Sequence, residues 1–223
     1  NGMAATSQPL ATQVALDILK KGGNAVDAAI AANAMLGLVE PASCGIGGDL
    51  FVILWDAKSQ KLYGLNASGR SPKNLTVKHF KDRDMSYIPF TGPLSVSVPG
   101  CVDGWDMLHK RFGKLGFDEI LAPAIQYGRD GFPISEVVAA EMLAGARSRV
   151  DRPGFKETYM PGGRTPAKGE GFVNKNLANT YEKIAQKGRD AFYKGEIAKT
   201  IGSYIKENDG FLSAEDMAAH TSN

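Results

Sequence analysis

Apolar positions first recur at helical spacing near the start of the chain, where Leu10, Val14, Ile18 and Leu19 fall on one side. Pro9 suits a first turn, Lys20-Lys21 a last turn and Gly22-Gly23 a stop, so a helix is predicted with Thr6 or Ser7 as its cap. Asn24 then caps a second predicted helix, with Asp27 three residues on where a carboxylate suits the dipole. Its body, through Leu38, carries alanine on nearly every side until Pro41 ends it, which predicts a buried helix. The period then changes. Leu50-Phe51-Val52-Ile53-Leu54-Trp55 has no polar alternation, predicting a strand covered on both faces, and Lys61–Leu65 returns antiparallel after a turn at 56–60.

Beyond a loop of Asn, Ser, Gly and Pro at 66–74 the pattern is mostly helical, with one further strand expected at Ser95–Val98. Helices are predicted over 100–112, 118–129, 135–147, 174–187 and 195–207, with Ser135 and Asn174 as caps. The Gly/Pro/Lys-rich stretch 151–171 reads as a surface excursion. Ser213-Ala-Glu-Asp216 has the form of a capping box, and the chain is expected to stop in mid-element after it. Two or three strands are too few to cover the apolar helices around them, so the rest of the sheet is expected from a larger polypeptide or a complex. No internal domain boundary is read in residues 1–223.

Composition narrows the classes. With 223 residues and 43% hydrophobic positions the chain can bury a substantial core. A net charge of +2 without a basic arm gives no reason to expect nucleic acid or an anionic membrane as partner. No apolar run approaches the ~20 residues of a membrane span. The start at Asn1-Gly2, without methionine, fits removal of a leader or a few residues; with no signal segment present, the cytoplasm is favoured over the periplasm. Cys44 and Cys101 form neither a close pair nor a framework and are read as buried thiols.

Candidate chemistry concentrates in two loops. Gly45-Ile-Gly-Gly48 follows a helix and precedes a strand, the reverse of a phosphate loop, and no Gly-Lys-Ser/Thr accompanies it. Positive φ or close backbone approach at a sheet end accounts for these glycines. Cys44 at that turn would act as a nucleophile only beside a base such as His79, His109 or His220, and none of the three lies in a motif; a packed thiol is the plainer reading. No His/Cys/Asp/Glu cluster has metal-ligand spacing, so neither metal nor cofactor is expected. In Asn66-Ala-Ser-Gly-Arg-Ser-Pro72, small neighbours leave Arg70 open to a carboxylate, which its guanidinium can hold bidentately; a surface arginine in a turn is the equal alternative.

The segment from Ala4 to Asp56, with Gly-Gly-Asn-Ala-Val-Asp-Ala-Ala (22–29) entering the second helix, resembles the opening of the γ-glutamyltranspeptidase family. The likeness continues through SVSVPGCVDGWDMLHKRFG (95–113), ILAPAIQYGRDGFPIS (120–135), NLANTYEKIAQKGRDAFYKGEIAKTI (176–201) and DGFLSAEDMAAH (209–220), and so spans essentially the whole chain. It implies an α+β fold, the αββα sandwich of N-terminal-nucleophile hydrolases, of which this chain is the incomplete, mostly helical N-terminal portion.

It also implies a precursor that cleaves itself, and a C-terminal small subunit whose new terminal threonine attacks a γ-glutamyl amide, so that no catalytic residue falls in this chain. Thr221 is not that nucleophile; it continues the loop after the Ser213 helix. The implied partners are that small subunit and a small-molecule amide, such as glutathione or a glutaryl-type amide, with a homo-oligomer compatible with either. The family's arginine for the glutamyl α-carboxylate stands in Asp-x-Arg-Glu-x-Ala-Pro. Counting back from Pro72 puts Ser68 at its place and Arg70 two residues nearer the proline, a form that resembles the acylase-like branch. Arg70 is the one candidate substrate-binding residue. The alternative from another class is a non-catalytic fragment or degenerate homologue acting as a binding or structural module.

Overall fold

The computed structural model describes residues 2–223; Asn1 of the Asn1-Gly2 start lies outside them. In chain order the elements are α1 (Pro9–Lys20), α2 (Ala25–Val39), β1 (Leu50–Asp56), β2 (Lys61–Ala67), α3 (Val77–Lys81), α4 (Cys101–Phe112), α5 (Phe117–Asp130), β3 (Phe132–Pro133), α6 (Glu136–Arg149), α7 (Phe155–Tyr159), β4 (Gly171–Phe172), α8 (Lys175–Lys187), α9 (Asp190–Tyr193), α10 (Glu196–Glu207) and α11 (Ala214–Ala218). They fall into two compact units, one built from the chain up to Gly45 with Phe112–Gln186, the other from Ile46–Arg111 with Lys187–Asn223.

The first unit is organised around α2. Asn24 Oδ1 accepts from the amides of Val26 and Asp27, the cap its sequence predicts, and Asp27 Oδ2 accepts from the Asn24 amide in return, which makes the pair a reciprocal box. Asp27 is fully buried and also accepts from the amides of Lys114 (2.9 Å) and Leu115 (3.3 Å), tying the helix start to the loop before α5. Burial runs around the whole helix, from Val26 and Ile30 to Met35 and Leu38. The bare Cα of Gly37 makes this possible, since a Cβ there would stand 2.8 Å from the Tyr181 hydroxyl and 3.2 Å from the Gly45 backbone. That hydroxyl donates to the Ala34 carbonyl at 2.9 Å.

Local signals set most helix ends as expected: Gly22 at φ +94° stops α1, Ser135 caps α6, and Asn174 Oδ1 receives the Leu177 amide at the start of α8. The cap of α1 differs. Gln8, not Thr6 or Ser7, receives the Leu10 amide at 2.6 Å, while the Thr6 hydroxyl donates to the Gln8 carbonyl. The excursion at 151–171 carries the short α7, and beyond it β4 pairs with β3 through Phe132 and Phe172, a bridge too short to leave a sequence period.

In the second unit β1 and β2 pair antiparallel from Leu50↔Ala67 to Asp56↔Lys61. One face packs on α4, where a Cβ on Gly104 would come within 2.8 Å of both Leu50 and Ala67. The expectation of a strand covered on both sides does not hold among the described residues: Phe51, Ile53, Trp55 and Leu62 on the opposite face are 67, 83, 55 and 67% exposed. The strand expected at Ser95–Val98 is also absent; a single 3-10 turn at Pro93–Ser95 leads into extended backbone. Pro93 and Pro99 remove two amides there, and the one rung made is Val98 N to Arg70 O at 3.0 Å. The Ser213–Asp216 capping box opens α11 as expected, but that helix closes at Ala218, five residues before Asn223, so the chain does not stop inside it.

Asp27→Ala would remove the carboxylate that receives the Asn24, Lys114 and Leu115 amides, and about 3 kcal/mol of unfolding free energy should be lost, read as a lowered urea midpoint. A loss under about 1 kcal/mol would mean that water takes over the role of the carboxylate.

Candidate functional site

The loop carrying Arg70 is set by backbone packed on backbone. A Cβ at Gly69 would stand 1.6 Å from the Val98 carbonyl oxygen, and one at Gly100 would stand 2.0 Å from that of Ala67. Only glycine allows the exit of β2 to run so close to the segment before α4. Five hydrogen bonds hold this contact. Asn66 Oδ1 accepts from the Ser68 amide, Asp49 Oδ1 from the Gly69 amide, and the Arg70 carbonyl from the Val98 amide, at 3.0, 3.1 and 3.0 Å. The Gly48 carbonyl accepts from the amides of both Gly100 and Cys101, steadying the start of α4. Pro72 is buried and Arg70 exposed, and among the described residues the Arg70 guanidinium has no hydrogen-bond or ion-pair partner. Ser68, at the place where the family pattern has arginine, is half-buried.

The glycines of 45–48 do not use positive φ. Gly45 lies against the bare Cα of Gly37, which is the close approach weighed for it, and Gly48 offers its carbonyl to α4. Burial, with Glu40 beside it, pushes the Cys44 thiol above its ordinary value, so it is not a ready thiolate. Cys101 is buried at the start of α4. His79 meets Phe80 and Phe211 edge-on and is not part of the Arg70 loop.

A second set of residues, without any sequence motif, sits next to that loop. Asp103 on α4 is buried and accepts from Arg189 Nε and, at 2.7 Å, from the Ser222 amide. Arg189 also donates to the His220 carbonyl, and its guanidinium lies over the Tyr193 ring at 4.4 Å. Tyr193 donates its hydroxyl proton to the Pro99 carbonyl and accepts the Asp103 amide. Residue 223 exchanges two backbone hydrogen bonds with Asn66, at 2.6 and 3.0 Å. Burial alone would raise the Asp103 carboxyl, but hydrogen bonding from Ser222 and the Arg189 guanidinium hold it below the usual carboxylate range.

His220 is 4% exposed and stacks on Tyr193, and neither ring nitrogen has a hydrogen-bond partner. Burial lowers its affinity for a proton. Asp103 and Asp49 work against that effect, and Arg189 and Arg70 reinforce it.

Comparison with known proteins matches residues 11–223 to the family described as gamma-glutamyltranspeptidase. The chain is 34% identical over 221 residues to the glutathione hydrolase proenzyme of Bacillus subtilis (strain 168), covering 97% of this chain and 38% of that protein. It is 37% identical over 219 residues to the glutathione hydrolase-like YwrD proenzyme of the same organism, covering 98% and 41%. Among solved structures, cephalosporin acylase from Bacillus halodurans superposes with a TM-score of 0.92 at 39% identity, covering 98% of this chain and 42% of that one. Helicobacter pylori gamma-glutamyltranspeptidase gives 0.94 at 32% identity, covering 100% and 64%. The chain thus spans about two fifths of the length of these two curated relatives. Its fold is the mostly helical, partial form of the αββα sandwich expected for it.

Because the folded state holds His220 neutral, the unfolded chain takes the proton first: stability is full above about pH 6.5 and falls as pH drops below it. Asp103, depressed below its ordinary value, contributes above that value and loses its contribution only in stronger acid. The urea midpoint should therefore fall between pH 7 and pH 5, and His220→Gln should flatten that slope. An unchanged slope in the variant would exclude His220 as the source.

Proposed function

The chain belongs to the γ-glutamyltranspeptidase family, and from that membership we propose that the complete protein is a self-processing amide hydrolase or acyltransferase acting on γ-glutamyl compounds or related glutaryl amides. The observation that carries the reading in this chain is the unpaired Arg70 guanidinium, presented from a backbone pinned at Ser68, Gly69 and Arg70 itself. A planar cation on a fixed loop suits a substrate carboxylate, and one such charge-assisted pair contributes roughly 1.5–3 kcal/mol.

The reacting group lies outside these residues, on a C-terminal small subunit released by autoproteolysis. There a terminal threonine hydroxyl adds to the amide carbonyl carbon while its proton passes to the threonine's own amine. Collapse expels the substrate amine with that proton and leaves an acyl ester. Water, or an acceptor amine in transfer, then adds to the ester carbonyl and restores the hydroxyl. Backbone amides facing the tetrahedral oxyanion stabilise both steps. The present chain supplies scaffold and the carboxylate-binding wall. The open apolar face of Phe51, Ile53, Trp55 and Leu62 is the surface on which the remainder of the sandwich packs. Hydrolysis is favoured over transfer, as the names of the glutathione hydrolase relatives suggest.

Intact-mass analysis of the full-length protein incubated with γ-glutamyl-p-nitroanilide tests the reading. Two chains and a glutamyl adduct on the smaller are expected, and one uncut chain with no p-nitroaniline released would sink it. In the same protein, Arg70→Ala should raise KM about tenfold, equivalent to about 1.4 kcal/mol, with kcat changed far less. Unchanged KM in an active enzyme would remove Arg70 from the site.

A further inference from the structure

We propose that Asp103 and Arg189 are positioning residues for the Arg70 loop, holding it in place through residues 220–223 without touching substrate. The inference rests on the reading of Arg70 as the carboxylate-binding group. Its grounds are a chain of contacts within one compact unit. Arg189 spans two acceptors with one planar fork, the Asp103 carboxylate and the His220 carbonyl. Asp103 uses its other oxygen to hold the Ser222 amide. Residue 223 of the segment so held makes a reciprocal backbone pair with Asn66, and the Asn66 side chain in turn holds the Ser68 amide two residues before Arg70.

On its far side the loop rests on Val98 and Asp49. The Tyr193 hydroxyl links that side back to the same pair, since it bonds both the Pro99 carbonyl and the Asp103 amide. Both flanks of the Arg70 loop therefore report to one ion pair, that of buried Asp103 with half-buried Arg189. Removing the fork loosens the hold on His220 and Ser222 and with it the Ser68–Gly69 turn, while the β1–β2 ladder, Asn66 and Ala67 included, keeps its own rungs. A guanidinium on a loosened loop binds its carboxylate less well, because ordering the loop now opposes binding.

The test uses the complete, matured protein. Arg189→Lys keeps the positive charge beside Asp103 but cannot span both acceptors; Arg189→Gln removes the charge as well, and the lysine variant guards against simple misfolding. Arg189→Lys should raise KM for γ-glutamyl-p-nitroanilide about three- to tenfold with kcat within about twofold. In an Arg70→Ala background the same substitution should add nothing, because both changes act on one contact. Amide exchange at Ser68 and Gly69 should quicken in Arg189→Lys while the amides of β1 stay protected, a readout that needs no turnover.

Unchanged exchange at Ser68 and Gly69 in a folded Arg189→Lys protein overturns the proposal. So does an effect on KM that is as large without Arg70 as with it, or one confined to kcat. A rise in KM for Arg70→Ala with none for Arg189→Lys rejects the positioning role and leaves the carboxylate reading intact. An unchanged KM for Arg70→Ala in an active enzyme rejects both.

Discussion

The second unit depends on a contact with no side chain in it. Gly69 and Gly100 bring the end of β2 and the approach to α4 to a separation that a single methyl group would forbid, with carbonyl oxygens of Val98 and Ala67 where a Cβ would go. Backbone atoms cannot yield as the end of a flexible side chain can, so the two segments hold one relative position. Asp49, Asn66 and the Arg70 carbonyl then spend their hydrogen-bonding capacity on amides of that same contact. Between Asn66 and Pro72 the charge left to face solvent is the Arg70 guanidinium.

Two buried carboxylates play comparable parts in the two units. Asp27 serves backbone amides alone, capping α2 and holding the loop before α5. Asp103 serves an amide and a guanidinium, and it draws residues distant in sequence onto one point. The difference follows from what each must join. The first amides of α2 need only an acceptor, whereas Asp103, also in the first turn of its helix, faces the cation of another element. In both cases the full set of donors makes burial of the charge tolerable, and loss of one member would leave the rest exposed to an apolar surround.

What was legible from sequence was local chemistry. The Asn24 cap, the Ser213 box, the Ser135 and Asn174 caps, the Gly22 stop and the antiparallel hairpin all involve groups close together in the chain, and the structure repeats them. Gln8 escaped because a long amide reaching back two residues leaves no spacing that distinguishes it from a surface glutamine. Ser95–Val98 misled because strand-like residues between prolines make one rung and no ladder. Arg70 stood out by its small neighbours, whereas Asp103 and Arg189, 86 positions apart, carry no mutual period at all. The resemblance that named the family says nothing of that pair. The unbroken apolar run of β1 stated a need for cover on both sides, which the described residues meet on one.

That half-met need has an optical consequence. The chain has two tryptophans: Trp105 is 1% exposed within α4, while Trp55 stands on the open face of the hairpin. One indole already lies in a dry environment, so any change in emission colour as another layer settles on that sheet belongs to the other. The protein thus carries its own reporter of assembly, placed by the same apolar run that requires a covering.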